Sequence, residues 1–212
     1  EDKKRKSETN QLGRSPEWSE ICLSKKIILG AITLDLFVVL LGGVTALLPV
    51  FAKDILDVGA LGAGLMRSAI AIGSLATGLA LTQVNMKRSV GKILYISVLV
   101  FGAATILFGL STVFWLSMVA MVIVGIGDMV SVYIRITLVQ IATPDEMRGR
   151  VSAVNSVFTG ASNEIGEFRA GMMANAIGAI PAVLFGGIGC FFIAGLCWAA
   201  FPELGRVQRI DR

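Results

Sequence analysis

Seven charged residues lie inside long apolar stretches of the chain, and their chemistry has to be explained first. They are Asp35, Arg67, Asp128, Arg135, Glu164, Glu167 and Arg169. An ionisable side chain at membrane depth is costly, so it normally faces a protein interior or an aqueous cavity and marks a substrate or proton pathway. These positions are therefore the predicted functional residues.

Three polar residues of one apolar stretch fall on a single helix face. Asp128, Ser131 and Arg135 are spaced i, i+3 and i+7, which gives a polar stripe about 10 Å long. One interpretation is a cavity wall that binds substrate or a proton. The other is a structural ion pair with a neighbouring helix, because buried pairs also fix packing. The spacing fits both interpretations equally well.

The segment GASNEIGEFRAG carries two carboxyl groups on overlapping helix faces. Glu164 and Glu167 are spaced i, i+3, and Asn163 lies one turn before Glu167. Two carboxyls in a low dielectric do not ionise together easily, which suits a site that takes up and releases a proton. Alternatively, Arg67 and Arg169 neutralise both groups in an interhelical salt-bridge network.

The residue inventory excludes several classes of chemistry. The chain has no histidine, which excludes Ser/His/Asp and Cys/His catalysis and histidine metal sites. Of its three cysteines, Cys190 and Cys197 are two helical turns, about 10 Å, apart and cannot form a disulfide. We therefore expect no enzyme, no metal and no cofactor, and thiols in a reducing or lipid-shielded setting.

The composition that positions these residues is that of a membrane protein. Of the 212 residues 55% are hydrophobic and only 16% are charged, and the mean hydropathy is +0.77. A spanning helix needs about 20 apolar residues. Six such spans are predicted, at 27–50, 60–84, 91–110, 113–142, 147–178 and 180–201. The predicted organisation is a polar linker at 1–26 with a candidate surface helix, a transmembrane bundle at 27–201 and a tail at 202–212.

Basic residues are distributed unevenly between the predicted connections. The segments rich in Lys and Arg are 1–26, 85–92, 143–150 and 202–212. The segments with at most one such residue are 51–58, 111–112 and 178–181. The positive-inside rule therefore predicts that both termini are cytoplasmic, in an inner or plasma membrane. The basic excess has no aromatic-interleaved face, so no nucleic acid is expected as a partner.

The buried charges also follow a repeating order along the chain. The first two spans of each triplet contain such residues, whereas the third and sixth spans contain none. This order suggests a 3+3 internal repeat in which the third and sixth spans face lipid. The predicted fold class is thus an all-α membrane protein with six transmembrane helices arranged as a 3+3 repeat.

Several segments resemble a known family. They are LDLFVVLLGGVTALLPVFAKDIL at 34–56, GLMRSAIAIGSL at 64–75, DMVSVYIRITLVQ at 128–140, TPDEMRGRVSAVN at 143–155 and SVFTGASNEIGEF at 156–168. Over about residues 27–210 the chain resembles the C-terminal half, helices seven to twelve, of major facilitator superfamily transporters, closest to the enterobactin-exporter-like branch. In the loop at 84–92 this chain has Asn85 and no acid where the family motif has aspartate.

The resemblance implies a division of labour among the spans. The first and fourth would line the transport cavity, the second and fifth would face the other half of the transporter, and the third and sixth would be peripheral. Arg148, Gly149 and Arg150 fall on an inner-loop motif, which implies a cytoplasmic gate.

The implied function is proton-coupled export of a small organic molecule, a siderophore or a drug, by alternating access. The expected partners are the lipid bilayer, the substrate and the N-terminal six-helix half. The expected roles are cavity lining for Asp128 and Arg135, proton exchange for Asp35, Glu164 and Glu167, and charge balance for Arg67 and Arg169. The alternative is a self-contained six-span structural or assembly protein that dimerises and holds its buried charges in static pairs.

Overall fold

The computed structural model describes residues 30–83, 90–143 and 147–201, and all regular structure within these ranges is helical. The first span consists of two helical segments, which we call α1 and α2, at residues 30–42 and 44–55. The other helices are α3 (Gly59–Gln83), α4 (Val90–Leu110), α5 (Phe114–Ala142), α6 (Arg148–Ile177) and α7 (Ala179–Ala200). The predicted linker at 1–26, the tail at 202–212 and most of the loop at 84–92 lie outside the described residues.

Five helical stretches among the described residues are long and apolar enough to cross a bilayer. They are Gly30–Ile55, which joins α1 and α2, and the helices α3, α4, α5 and α7. Helix α6 has 30 residues and is long enough, but Asn, Glu and Arg side chains along it make it too polar to qualify by composition. The all-helical membrane fold is therefore confirmed, while the sixth span and the 3+3 repeat remain predictions.

The first span differs from its sequence prediction, which was a single helix over 27–50. In the structure the helix is broken at Gly43 and continues to Ile55. Segment α2 begins with a 3₁₀ turn at Val44–Leu47, passes through an α-helical turn at Leu48–Val50 and ends with a π-helical turn at Phe51–Ile55. Lys53 and Asp54 do not end the helix, because both side chains are exposed at its C-terminal end.

Two hydrophobic clusters hold the bundle together, one around each half of the first span. The cluster around α1 contains Leu34, Val38, Leu94, Val98, Ile134 and Cys190. The cluster around α2 contains Leu47, Phe51, Met66, Phe108, Met121 and Val183. Both halves of the first span therefore lie inside the bundle, where α3, α4, α5 and α7 surround them.

Helices α3 and α5 approach each other so closely that their backbones touch. A Cβ atom at Gly73 would collide with the carbonyl of Val122, and one at Gly125 would collide with the carbonyl of Ile70. Small residues allow this approach in membrane bundles. The contact fixes α3 firmly to the fourth span.

Helices α3 and α6 leave large faces uncovered. Only 22% of the apolar window of α3 is buried, against 44% to 50% for the other four spans. The exposed large side chains of α3 are Leu61, Leu65, Ile72, Leu75 and Leu79. Those of α6 are Val154, Val157, Phe158, Ile165, Phe168, Met172 and Ile177. The second and fifth predicted spans are thus the least covered part of the bundle.

Candidate functional site at the break in the first span

The break at Gly43 is possible because this residue is a glycine. Its φ of 32° and ψ of 19° are left-handed, a conformation that glycine adopts at little cost. A Cβ atom at this position would also lie 2.6 Å from the carbonyl oxygen of Gly166 in α6. Backbone conformation and contact with α6 therefore both require glycine here.

Arg169 of α6 satisfies the carbonyl groups that the break sets free. The last carbonyls of a helix have no partner within the helix. Arg169 donates from Nε to the Leu40 oxygen at 3.1 Å and from Nη2 to the Leu41 oxygen. Its Nη1 donates to the sulfur of Met173, and its guanidinium lies 5.7 Å from the Phe185 ring centroid. A cation at the C-terminus of α1 also complements the helix dipole.

This placement of Arg169 differs from the sequence-based expectation that it balances Glu164 and Glu167. Among the described residues, its hydrogen bonds go to backbone carbonyls and to a sulfur, not to a carboxylate. The physical reason is the break itself, which was not predicted and which leaves acceptors that a half-buried guanidinium can satisfy. The charge that Arg169 balances is therefore the negative end of α1.

Glu167 contacts the other side of the same break. Its Oε1 accepts a hydrogen bond of 2.7 Å from the hydroxyl of Thr45, which lies in the first turn of α2. A carboxylate is favoured at a helix start, where backbone N–H groups lack partners. Helix α6 thus places a carboxylate, Glu167, at the start of α2 and a cation, Arg169, at the end of α1.

A cavity of about 120 Å³ opens beside the break. Its polar lining comprises Thr45, Asp128, Asn163 and Glu167, and its apolar lining includes Ile70, Phe101 and Val124. Two carboxyls, one from α5 and one from α6, therefore face the same small space. Such a pair can hold a proton, or bind a cationic or hydroxyl-bearing group, in a low dielectric.

A second polar cluster joins α1, α5 and α6. Arg135 Nε lies 2.7 Å from Asp35 Oδ2, and each side chain is at most 5% exposed. The Nε–H group has no hydrogen-bond partner among the described residues, so this contact is an ion pair without an aligned hydrogen bond. Arg135 Nη1 donates to Asn155 at 3.2 Å and to Thr159 at 3.1 Å, and Ser131 donates to Asp35 at 3.1 Å. Side chains of α5 and α6 therefore hold the ion pair in place.

The predicted pathway residues thus occupy two levels of the bundle. Asp128 and Glu167 line the cavity, whereas Asp35 and Arg135 form the ion pair. Asp128 and Arg135 are seven residues apart on α5, which corresponds to about 10 Å. Glu164 belongs to neither level, because its side chain is exposed on α6.

The position of Glu164 follows from the packing of its neighbour Gly166. Gly166 is buried against α1, since a Cβ atom there would lie 2.8 Å from the Val39 carbonyl oxygen. Residues two apart on a helix point in nearly opposite directions. Glu164 is therefore turned away from α1 while Glu167 remains beside it.

The remaining predicted residues lie away from the cavity. Arg67 is exposed on α3. At the start of α6, Arg148 Nε donates to the Gln140 carbonyl of α5 at 3.2 Å. Gly149 is exposed, and nothing lies within 4 Å of its Cβ direction, so close packing does not explain this glycine. Arg150 lines a groove of about 340 Å³ between α1, α5 and α6.

Sequence reasoning missed Thr45, Asn155 and Thr159 as members of the site. Asn155 and Thr159 had a usable signal, because together with Asn163 and Glu167 they recur every four residues and form one stripe on α6. Thr45 had no such signal in the sequence, since its contact with Glu167 depends on a break within an apolar segment.

Apolar helices that enclose a buried ion pair, with a broken helix beside a polar cavity, are features of multi-pass membrane transporters. The family model of the Major Facilitator Superfamily matches residues 1–167. The chain belongs to this superfamily, whose members are in general transporters and not enzymes. No curated protein matches the chain. The family resemblance in the sequence is thereby confirmed at the level of the superfamily.

Proposed function

We propose that this chain is the C-terminal six-helix half of a proton-coupled exporter of a small organic molecule, a siderophore or a drug, in the enterobactin-exporter-like branch. The two halves rock around a site near the middle of the membrane. Both termini are cytoplasmic, in the inner or plasma membrane. The observation that carries the proposal is the cavity that Asp128 and Glu167 share beside the broken first span.

Proton exchange at Glu167 has a direct structural consequence in this proposal. The ionised carboxylate accepts the hydrogen bond from Thr45 and complements the start of α2. Protonation removes that charge and weakens the contact between α6 and α2. Because Arg169 holds the end of α1 at the same time, loading a proton loosens one side of the break and leaves the other fixed.

The partner half is supported by polar residues on the uncovered face of α6. Asn163 and Glu164 are exposed there, beside large apolar side chains. Lipid covers exposed leucines well, but it cannot satisfy an amide or a carboxyl group. A second bundle that packs against α3 and α6 supplies those contacts and closes the cavity.

Arg148, Gly149 and Arg150 form the cytoplasmic gate of this transporter. Arg148 contacts the end of α5, and Arg150 lines the groove between α1, α5 and α6. Rocking of the bundle changes the spacing of these three helices. These contacts support a role for the start of α6 in opening and closing the cytoplasmic entrance.

Proton-coupled efflux by the complete transporter tests the proposal. Asp128→Asn and Glu167→Gln should each abolish pH-driven export while the protein remains folded, because each removes a carboxyl group from the cavity. Asp35→Asn tests the ion-pair level in the same assay. Glu164→Gln is the matched variant on the same helix outside the cavity and tests that candidate separately. Normal coupled export by all four variants would overturn proton exchange at these carboxyls.

The alternative is a six-span structural protein that dimerises through α3 and α6. The enclosed Asp35–Arg135 pair favours it, since a buried pair with further hydrogen bonds to its neighbours can be a static packing element. Co-expression separates the two proposals. Export that requires an N-terminal half supports the transporter. A stable homodimer that does not bind such a half supports the structural protein.

A further inference from the structure

A groove between α4 and α7 lies on the opposite side of these helices from the site described above. It has a volume of about 390 Å³ and is lined from α4 by Lys92, Tyr95 and Leu99 and from α7 by Phe191, Gly195 and Trp198. A Cβ atom at Gly195 would have no neighbour within 4 Å. This glycine therefore leaves open space in the groove and is not required for close helix packing. The groove is open to whatever surrounds the bundle.

The polar and apolar linings of the groove are separated along its length. Lys92 lies at the start of α4 and Trp198 near the end of α7, so both mark the same end of the bundle. From there each wall runs seven residues inward, to Leu99 and to Phe191, a distance of about 10 Å. One end therefore carries a cation and an aromatic pair typical of a membrane interface, and the remainder is apolar.

Tyr95 provides a second, independent sign of a ligand. Tyr95 is only 4% exposed, and its ring packs edge-on against the ring of Trp198, with the ring centroids 4.9 Å apart. Its hydroxyl oxygen is buried and has no hydrogen-bond partner among the described residues. A buried hydroxyl normally has a hydrogen-bond partner. Lys92 is exposed, and no described residue pairs with it.

We propose that this groove binds a phospholipid with a negatively charged headgroup. The headgroup lies at Lys92, an ester or phosphate oxygen accepts the hydrogen bond from Tyr95, and an acyl chain follows the apolar walls past Gly195 to Phe191. Charge selects the headgroup, because a lysine near the membrane surface attracts anionic lipid. The groove differs from the flat faces of α4 and α7, which make ordinary lipid contacts, because it is concave and contains the unpartnered hydroxyl of Tyr95.

Quenching of Trp198 fluorescence by brominated lipid tests the proposal. Trp18→Phe and Trp115→Phe leave Trp198 as the single tryptophan, and the chain is reconstituted in phosphatidylcholine vesicles. Phosphatidylglycerol brominated in its acyl chains is then compared with brominated phosphatidylcholine. We expect about a fivefold preference for the anionic lipid, the size expected for one lysine near the surface.

Variants of the groove make the test specific. Lys92→Gln should reduce the ratio of anionic to zwitterionic lipid binding to about one, and Lys92→Arg should retain the preference for anionic lipid. Tyr95→Phe should weaken binding of both lipids, because it removes the hydroxyl and keeps the ring. Lys53→Gln changes an exposed lysine at the other end of the bundle and should have no effect. Equal quenching by both lipids in the parent chain, or a preference that survives Lys92→Gln, would overturn the proposal.

Discussion

At the scale of single residues, the buried ion pair shows how a costly group is accommodated. Asp35 and Arg135 are almost completely buried, yet each has additional partners in Ser131, Asn155 and Thr159. Desolvation of two charges is compensated only when such further hydrogen bonds are present. The cluster therefore acts as one unit, and removal of one charge leaves the other buried without compensation.

This coupling predicts the result of a mutant cycle. Asp35→Asn should lower the free energy of unfolding by about 3–5 kcal/mol, because it leaves Arg135 as an unpaired buried cation. Asp35→Asn combined with Arg135→Gln should recover much of that loss. Denaturant unfolding in detergent, followed by circular dichroism, measures both. Asp54→Asn, an exposed acid of the same span, is the matched control, and an Asp35→Asn protein as stable as this control would contradict the prediction.

At the scale of helices, the broken first span is the feature that organises the site. Helix α6 reaches the break through Gly166 and then places Glu167 beside α2 and Arg169 beside α1. Irregular backbone at membrane depth persists only where protein groups satisfy it, and here one neighbouring helix does so on both sides. The shape of the cavity therefore depends on the contact between α6 and the first span.

Glycine substitutions test this dependence on the break. Gly43→Ala should destabilise the bundle by at least about 1–2 kcal/mol, the cost of a left-handed conformation for a residue with a Cβ atom. Contact with the Gly166 carbonyl should add to this loss. Gly171→Ala on α6 is the matched control, since nothing lies near its Cβ direction, and helix propensity should make it neutral or stabilising by up to about 1 kcal/mol. Thermal unfolding in detergent measures both, and equal losses would argue against a special role for Gly43.

At the scale of the whole molecule, the bundle is most open at α3 and α6, which bury the smallest share of their residues. Helices α4 and α7 cover α1 and α2 from one direction, whereas α3 and α6 keep broad exposed faces. Those of α6 include Asn163 and Glu164. A charged group at the centre of a bilayer costs roughly 2.5–3.5 kcal/mol on the insertion scale. The open side is thus the unfavourable side of an isolated chain.

The isolated 212-residue chain should therefore be inactive and either oligomeric or unstable. We expect association through α3 and α6, because this contact removes the polar groups of α6 from lipid. Size-exclusion chromatography with light scattering in detergent measures the oligomeric state, and transport into liposomes measures activity. Co-expression with an N-terminal half should restore export. A stable monomer that moves substrate by itself would contradict both this prediction and the half-transporter proposal.

Hydropathy and charge alone determined the membrane class, the approximate positions of the helices apart from the break and the C-terminal end of the first span, and the identity of the costly residues. The reason is that lipid offers backbone groups no hydrogen bonds and charges no solvation, so long apolar helices and rare internal charges leave clear patterns in a sequence. The stripe of Asn155, Thr159, Asn163 and Glu167 is also such a pattern, and the helical period alone could have predicted it, although Asn155 and Thr159 were missed.

Only the tertiary structure decided which charge meets which partner. The sequence fitted both a cavity wall and an ion pair for Asp128 and Arg135, and the structure places Asp128 in the cavity and Arg135 in the pair. It also assigned Arg169 to the carbonyls of a broken helix. Pairing depends on the packing of distant segments, and the break depends on one glycine in an apolar run, so neither has a local signal that sequence periodicity can detect.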